Sequence, residues 1–186
     1  LVNRIDKLTS GIVLVTKDIA AKRHLQQQFE DRTPYKTYLA LASGHVGEAS
    51  GEINLPLGPK ENCENRTVQA VRRDRAGKPS LTRYWTLERL TSGDGRRYSL
   101  LRLALKTGRQ HQIRVHLQAL GHPLAGDHLY HDNRGLRWTD DAGAARELAR
   151  FALHSETTTV IHPIREEEIR FEAPLPADMQ GLLDAL

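Results

Sequence analysis

The chain has 186 residues, 39% of them hydrophobic, which suits one globular domain able to bury a core. No stretch approaches the roughly eighteen apolar residues of a membrane-spanning helix, and the single cysteine, Cys63, excludes an intrachain disulfide and a Cys-x-x-Cys zinc site, so a reducing cytoplasm fits best. The net charge of +4 is unevenly spread: residues 60–114 hold 14 Lys/Arg against 5 Asp/Glu, whereas residues 115–186 hold 6 against 12. A basic middle third of this kind describes either a polyanion-binding surface or a solvated basic loop.

Ile12 to Val15 is a continuous apolar run that reads as a buried strand. Thr16 or Asp18 then caps a helix in which Ala21, Leu25 and Phe29 recur every four residues, with Lys22, Arg23 and Gln26 on its wet side. Pro34 bars continuation of that helix, and Lys36 to Ala42 reads as a strand, Tyr38 early in it, running into the turn residues Ser43-Gly44. Residues 58–79 combine Gly58, Pro59, Asn62, Asn65, Gly77 and Pro79 with many charges, the composition of a basic excursion rather than of a core element.

Ser80 to Leu90 and Tyr98 to Leu105 are strand-like, and the Gly-containing turn from Thr91 to Gly95 predicts that they pair as a hairpin. Thr107-Gly108 introduces a helix from Arg109 to Leu120, with Ile113, Leu117 and Leu120 on an apolar face, His111, Arg114 and Gln118 on another, and Gly121 as its stop. After a loop rich in Gly, Asp and His, Ala152–Ile161 and Ile169–Phe171 read as strands and Ala177–Leu186 as a closing helix. Hairpins interleaved with helices predict one α+β domain over residues 1–186, with a mixed, largely antiparallel central sheet flanked by helices and loops.

Asn3-Arg4-Ile5-Asp6-Lys7-Leu8-Thr9-Ser10-Gly11 sets one carboxylate between two cations, in a turn-prone stretch just before an apolar run. Such a carboxylate is ionised and accessible, and locally the pattern also describes a surface ion pair in a turn. The string nevertheless resembles the H-R-L-D-x-x-T-S-G motif of RluA-type pseudouridine synthases. Lys36-Thr37-Tyr38 resembles that family's second motif, and the run from Thr107 to His116 is similar to its T-G-R-x-H-Q-I-R-V-H string. His122 to Tyr130 resembles the trailing H-P-(I/L)-x-G-D-x-x-Y run. Leu153-His154, His162-Pro163 and the segment Phe171 to Pro176 are similar to its closing strands, so the resemblance spans nearly the whole chain in order.

The resemblance implies a pseudouridine-synthase-like fold and the isomerisation of uridine in structured RNA, ribosomal or transfer, without cofactor or metal. Asp6 would be the nucleophile, attacking at the sugar carbon or the base or assisting a glycal route. Arg114 would pair with Asp6 through a bidentate guanidinium and keep it ionised in a closed pocket. Tyr38 would lie on the uracil face and take the proton from the base carbon after the base has rotated. Arg4 would fill the gap left by a flipped-out uridine. Lys36, Arg109 and His111 are expected to contact phosphates, and Arg66, Arg72, Arg73, Arg75 and Lys78 of the basic excursion to clamp the RNA backbone.

Asn3 stands where the family has His and Ile5 where it has Leu, the second a volume-conserving change. The first residue is Leu1, and the family motif begins two residues later, so a preceding segment supplying early strands of the sheet, and an appended binding domain, are expected in a parent protein. A monomer is expected. Two other readings compete. His122, Asp127, His128 and His131 offer metal-ligand types, but His111 and His116 are five apart rather than four, and no cysteine completes a set. A non-catalytic RNA-binding scaffold is the second alternative, against which the joint presence of Asp6, Tyr38 and Arg114 argues; nothing reads as a helix-turn-helix.

Overall fold

The computed structural model describes residues 1–65, 67–131, 136–140 and 142–186. Its elements in chain order are β1 (Ser10–Gly11), α1 (Ile19–Asp31), β2 (Tyr35–Ser43), β3 (Ser50–Asn54), β4 (Leu57–Pro59), β5 (Gln69–Val71), β6 (Leu81–Thr91), β7 (Arg97–Leu105), α2 (Gln112–Ala119), β8 (Leu136–Thr139), β9 (Ala145–Leu148), β10 (Leu153–Ile161), β11 (Glu168–Glu172) and α3 (Ala177–Asp184). The central sheet runs β1-β10-β2-β7-β6-β3, with β11 also on β10. Among the described residues only the β1–β10 pairing of this sheet is parallel, which makes the sheet mixed and largely antiparallel, as the alternation of hairpins and helices predicts. No helix among the described residues is long and apolar enough to cross a membrane.

The period-two geometry of β2 divides the core. Tyr38, Ala40 and Ala42 face a cluster that includes Ile113 and Leu117 of α2, whereas Leu41 faces the opposite cluster with Met179 and Leu182 of α3. Helices thus cover both sides of the sheet, and the site described below lies on the α2 side. Asp18, not Thr16, caps α1 by accepting the Ala21 N–H at 2.8 Å.

Three expectations need correction. Ile12–Val15 is not a fully buried strand: Ile12 and Leu14 are buried while Val13 and Val15 are exposed, so it is an extended rim segment with one apolar side. The excursion at 58–79 carries structure of its own, because β4 and β5 pair as a small antiparallel sheet packed against α2 by Leu57, Val68, Val115 and Tyr130. The short apolar pieces Leu57 and Val68–Val71 were masked by the Gly, Pro and charge around them. Helix α2 starts at Gln112 rather than Arg109, since His111 has φ 55°, a left-handed conformation no α-helix continues through.

Candidate active site

The Asp6 segment is anchored on both flanks. Val2 N–H donates to the Leu14 carbonyl at 2.9 Å, and the Asn3 side-chain oxygen accepts the Leu14 N–H at 2.7 Å, so the residue that departs from the family pattern has a clear structural task here. The Thr9 N–H closes a turn onto the Asp6 carbonyl at 2.9 Å. Gly11, at φ 105°, then lies against β10 so closely that a Cβ would stand 2.2 Å from the Ser155 carbonyl oxygen; no other residue fits. Asp6 therefore comes off a fixed turn, with its side chain 19% exposed.

Arg114 reaches the same place from α2. Sequence periodicity sets Arg114 on a polar face with Gln118, but Gln112 to Leu117 are all buried, because α2 is packed between the sheet and the β4–β5 hairpin. Its polar residues are consequently bonded inside the protein. Gln112 donates to the Leu81 carbonyl and to Thr82, and accepts from Thr107 and from the Arg109 N–H. His116 bridges the Leu55 carbonyl and the Thr82 hydroxyl. The polar string from Thr107 to His116 is thus largely a fastening of α2 to β6.

The expected bidentate Arg114–Asp6 pair is not what forms. The fork goes to Asp127, with Nε to Oδ2 at 2.6 Å and Nη2 to Oδ1 at 2.8 Å, while Nη1 stands 3.6 Å from Asp6 Oδ2. Asp127 is fully buried behind Gly126, whose φ of 78° and tight approach to the Arg150 carbonyl set the turn. It occupies the Nε edge of the guanidinium and leaves one corner for Asp6. The flat faces of Arg114 are covered by the rings of Tyr130 and Phe151, 4.8 and 4.4 Å from the guanidinium carbon. One cation is therefore shared between two carboxylates and fixed in its plane. Sequence reading places Asp127 in the H-P-(I/L)-x-G-D-x-x-Y run and among metal-ligand types, and carries no signal that Arg114 is its partner.

Asp6, Tyr38 and Arg114 line one cleft of about 660 Å³, together with Arg4, Lys36, Arg109 and His111. Tyr38 is 8% exposed and sits opposite Ser155 in the β2–β10 ladder, beside a bulge at Glu156. Burial pushes its phenol up to about 12, with Asp6 adding to the rise and the Ser155 side chain opposing it, so Tyr38 is a neutral phenol at working pH. Burial likewise lowers Lys36, whose ammonium lies 5.3 Å from the Phe29 ring centroid. Arg4 is exposed at the mouth.

A pH prediction follows from the tyrosines. Tyr130 is also pushed up to about 12, chiefly by burial. Both phenols ionise more readily unfolded, so the stability they contribute is complete below about pH 10 and is lost as pH rises towards 12. Urea unfolding midpoints should fall through that window, and less steeply for Tyr38→Phe; equal slopes for both proteins would contradict the assignment.

The excursion is less uniform than its composition. Arg72 is committed to Glu61 at 2.6 Å, to Asp74 and to the Pro59 carbonyl at 3.2 Å, and acts as a staple of the β4–β5 unit. Arg73, Arg75 and Lys78 are exposed, and Arg66 lies outside the described residues. The metal-ligand types do not converge: no group of three or more His, Cys, Asp or Glu among the described residues is placed to hold an ion.

The family model described as RNA pseudouridylate synthase matches residues 1–119, the stretch that holds Asp6, Tyr38 and Arg114. The chain belongs to this family. It is 39% identical over 183 residues to ribosomal large subunit pseudouridine synthase C of Vibrio cholerae, covering 98% of this chain and 54% of that protein. It is 40% identical to ribosomal large subunit pseudouridine synthase D of Nitrosomonas europaea over all of this chain and 51% of the relative, so this synthase-family chain spans about half the length of these relatives. Against the dual-specificity RNA pseudouridine synthase RluA of Pasteurella multocida it is 40% identical over 92% of this chain and 71% of the other. Among solved structures, human RNA pseudouridylate synthase domain containing 1 matches with a TM-score of 0.76 and 31% identity, over 94% of this chain and 68% of that one. The pseudouridine-synthase fold expected from the motifs is the fold observed.

Proposed function

We propose that this chain isomerises uridine residues of structured RNA, ribosomal or transfer, to pseudouridine, with Asp6 as the nucleophile on a flipped-out uridine. The observation that carries the reading is the meeting of Asp6, Arg114 and Tyr38 in one cleft, drawn from a turn, a helix and a strand that are far apart in the chain. Arg114 stabilises the Asp6 carboxylate from one corner and leaves its other oxygen free to attack. Tyr38, neutral and buried, lies where a base ring would stack; as its oxygen takes the proton from the base carbon once the ring has turned, its own phenolic proton passes to water in the cleft, so that the carbon loses one proton, water gains one and the phenol ends neutral. Glycosidic cleavage and rejoining stay within one pocket, so neither a redox carrier nor ATP enters. Both relatives named for the large ribosomal subunit favour ribosomal RNA as the first substrate to try, and a reducing cytoplasm suits the unpaired Cys63.

The test is release of tritium to water from RNA labelled at uridine C5, using the full-length protein and this chain in parallel on ribosomal and transfer RNA. Release that depends on Asp6 supports the proposal; none from any RNA by a folded protein favours the alternative, RNA binding without catalysis.

Arg4, Lys36, Arg73 and Arg109 are the cations we assign to the RNA. Removing the exposed charge in Arg73→Gln should weaken RNA binding and lower the slope of log affinity against log salt by about 0.7 to 0.9, the value of one phosphate contact. Arg72→Gln should instead lower stability, because its guanidinium already serves Glu61, Asp74 and Pro59. An unchanged salt slope in Arg73→Gln would remove the β4–β5 unit from the RNA surface.

A further inference from the structure

The sequence resemblance makes His111 an expected phosphate contact, with Lys36 and Arg109. Its surroundings describe a different group. The Tyr130 hydroxyl has two hydrogen-bond partners among the described residues, the Gln69 N–H at 2.8 Å and His111 Nδ1 at 2.7 Å. The Gln69 amide can only donate, so the Tyr130 oxygen accepts there and its own hydrogen is directed to Nδ1. The opposite arrangement, with Nδ1–H donating, would leave the hydroxyl hydrogen of a residue 6% exposed without an acceptor. Nδ1 is therefore the unprotonated nitrogen, and Nε2, on the far side of the ring, carries the proton.

The ring is held as well as typed. His111 sits at φ 55°, immediately before α2, and packs edge-on against Tyr130 with centroids 5.6 Å apart and planes at 83°. The charged groups around it are Arg114 and Arg4, which oppose an imidazolium, and Asp6 and Asp127, which favour one; burial and Arg114 dominate, and the His111 pKa is lowered. His111 lines the cleft beside Asp6 and Arg114. The cleft already holds Lys36 and Arg109 for phosphate and Arg4 for the gap left by the flipped base, and its need is for a group that reads the base.

We infer that His111 presents a fixed, uncharged Nε2–H donor to the cleft and uses it on a carbonyl oxygen of the target uracil, not on a phosphate. This rests on the proposed function. A neutral donor with a locked tautomer matches an acceptor on the base, and because it carries no charge it displaces no counterion from the RNA.

Two measurements test it. Long-range nitrogen–proton NMR of the ring in the wild-type protein should show His111 with Nε2 protonated and Nδ1 bare near neutral pH, and Tyr130→Phe should weaken that preference. An imidazolium, or a proton on Nδ1, overturns the inference without any activity being needed. His111→Leu should then lower kcat/KM for tritium release by about tenfold or more, with recovery in His111→Gln, which restores a neutral donor. The salt slope of RNA binding should be the same in all three proteins. Full activity in a folded His111→Leu, or a slope reduced by about 0.7 to 0.9, returns His111 to the bystanders or to the phosphate contacts and overturns the base contact. A wild type that releases no tritium overturns the proposed function and the uracil contact with it, while the ring spectrum still decides the tautomer and the slope still decides the phosphate.

Discussion

Asp6→Asn is expected to abolish tritium release while RNA affinity is largely retained. Asparagine keeps the size of the side chain, so the turn closed by Thr9 N–H on the Asp6 backbone carbonyl survives, as does the pairing of Gly11 with Ser155. What is lost is the negative charge and the nucleophilic oxygen, and the other carboxylate on Arg114 cannot replace it: Asp127 faces the other edge of the guanidinium, is fully buried and is bonded through both oxygens. Loss of one member of a catalytic unit costs about four orders of magnitude or more in turnover, which corresponds to about 5.5 kcal/mol of transition-state stabilisation. Binding is read separately, by titration with the same labelled RNA. Release by Asp6→Asn at even a tenth of the wild-type rate would refute Asp6 as the nucleophile.

Asp127→Ala is expected to have the largest effect on stability. The substitution strips the bidentate partner from a guanidinium whose side chain is 4% exposed, leaving it one carboxylate corner at 3.6 Å and two aromatic faces. Breaking a buried pair from one side costs about 3 to 5 kcal/mol, which for a domain of this length lowers Tm by about 6 to 20 °C. The tether of Arg114 is also released, so its fork can close on Asp6 and quench the oxygen that should attack; turnover should fall even in molecules that remain folded. Should Asp127→Ala not fold, Asp127→Asn, which keeps one acceptor, should show the same loss of kcat with a smaller fall in Tm and an unchanged KM for RNA. Wild-type Tm and kcat in either variant would show that Arg114 does not depend on Asp127.

Elements with strong local signals are legible in the sequence. The Asp18 cap, the hairpin of β6 and β7 and the β2 strand are where periodicity and turn residues put them, because each is specified by neighbours within a few residues. Errors arose where packing overrides local pattern. Val13 and Val15 are apolar but exposed, since only the Ile12 and Leu14 face of their segment packs on the core, and β3, β8 and β9 are too short and too polar to declare themselves. Polar residues of α2 read as a wet face because a helical wheel cannot report that β5 and β6 lie against it.

The same division runs through the site. By itself the sequence determined the family, through ordered strings that identify the carboxylate, the phenol and the guanidinium by residue type; that Gly11 and Gly126 must be glycine shows only where the folded backbone turns left-handed and closes on a neighbour. Only the tertiary structure decided who holds whom. That Arg114 gives its fork to Asp127 and a single corner to Asp6, that Arg72 is a staple and not a free cation, and that His111 is typed by Tyr130 and Gln69 all depend on side chains distant in the chain meeting in a dry interior. A charge or a proton is placed by the directions and distances of all its neighbours at once, and residue order records the neighbours' identities without their geometry.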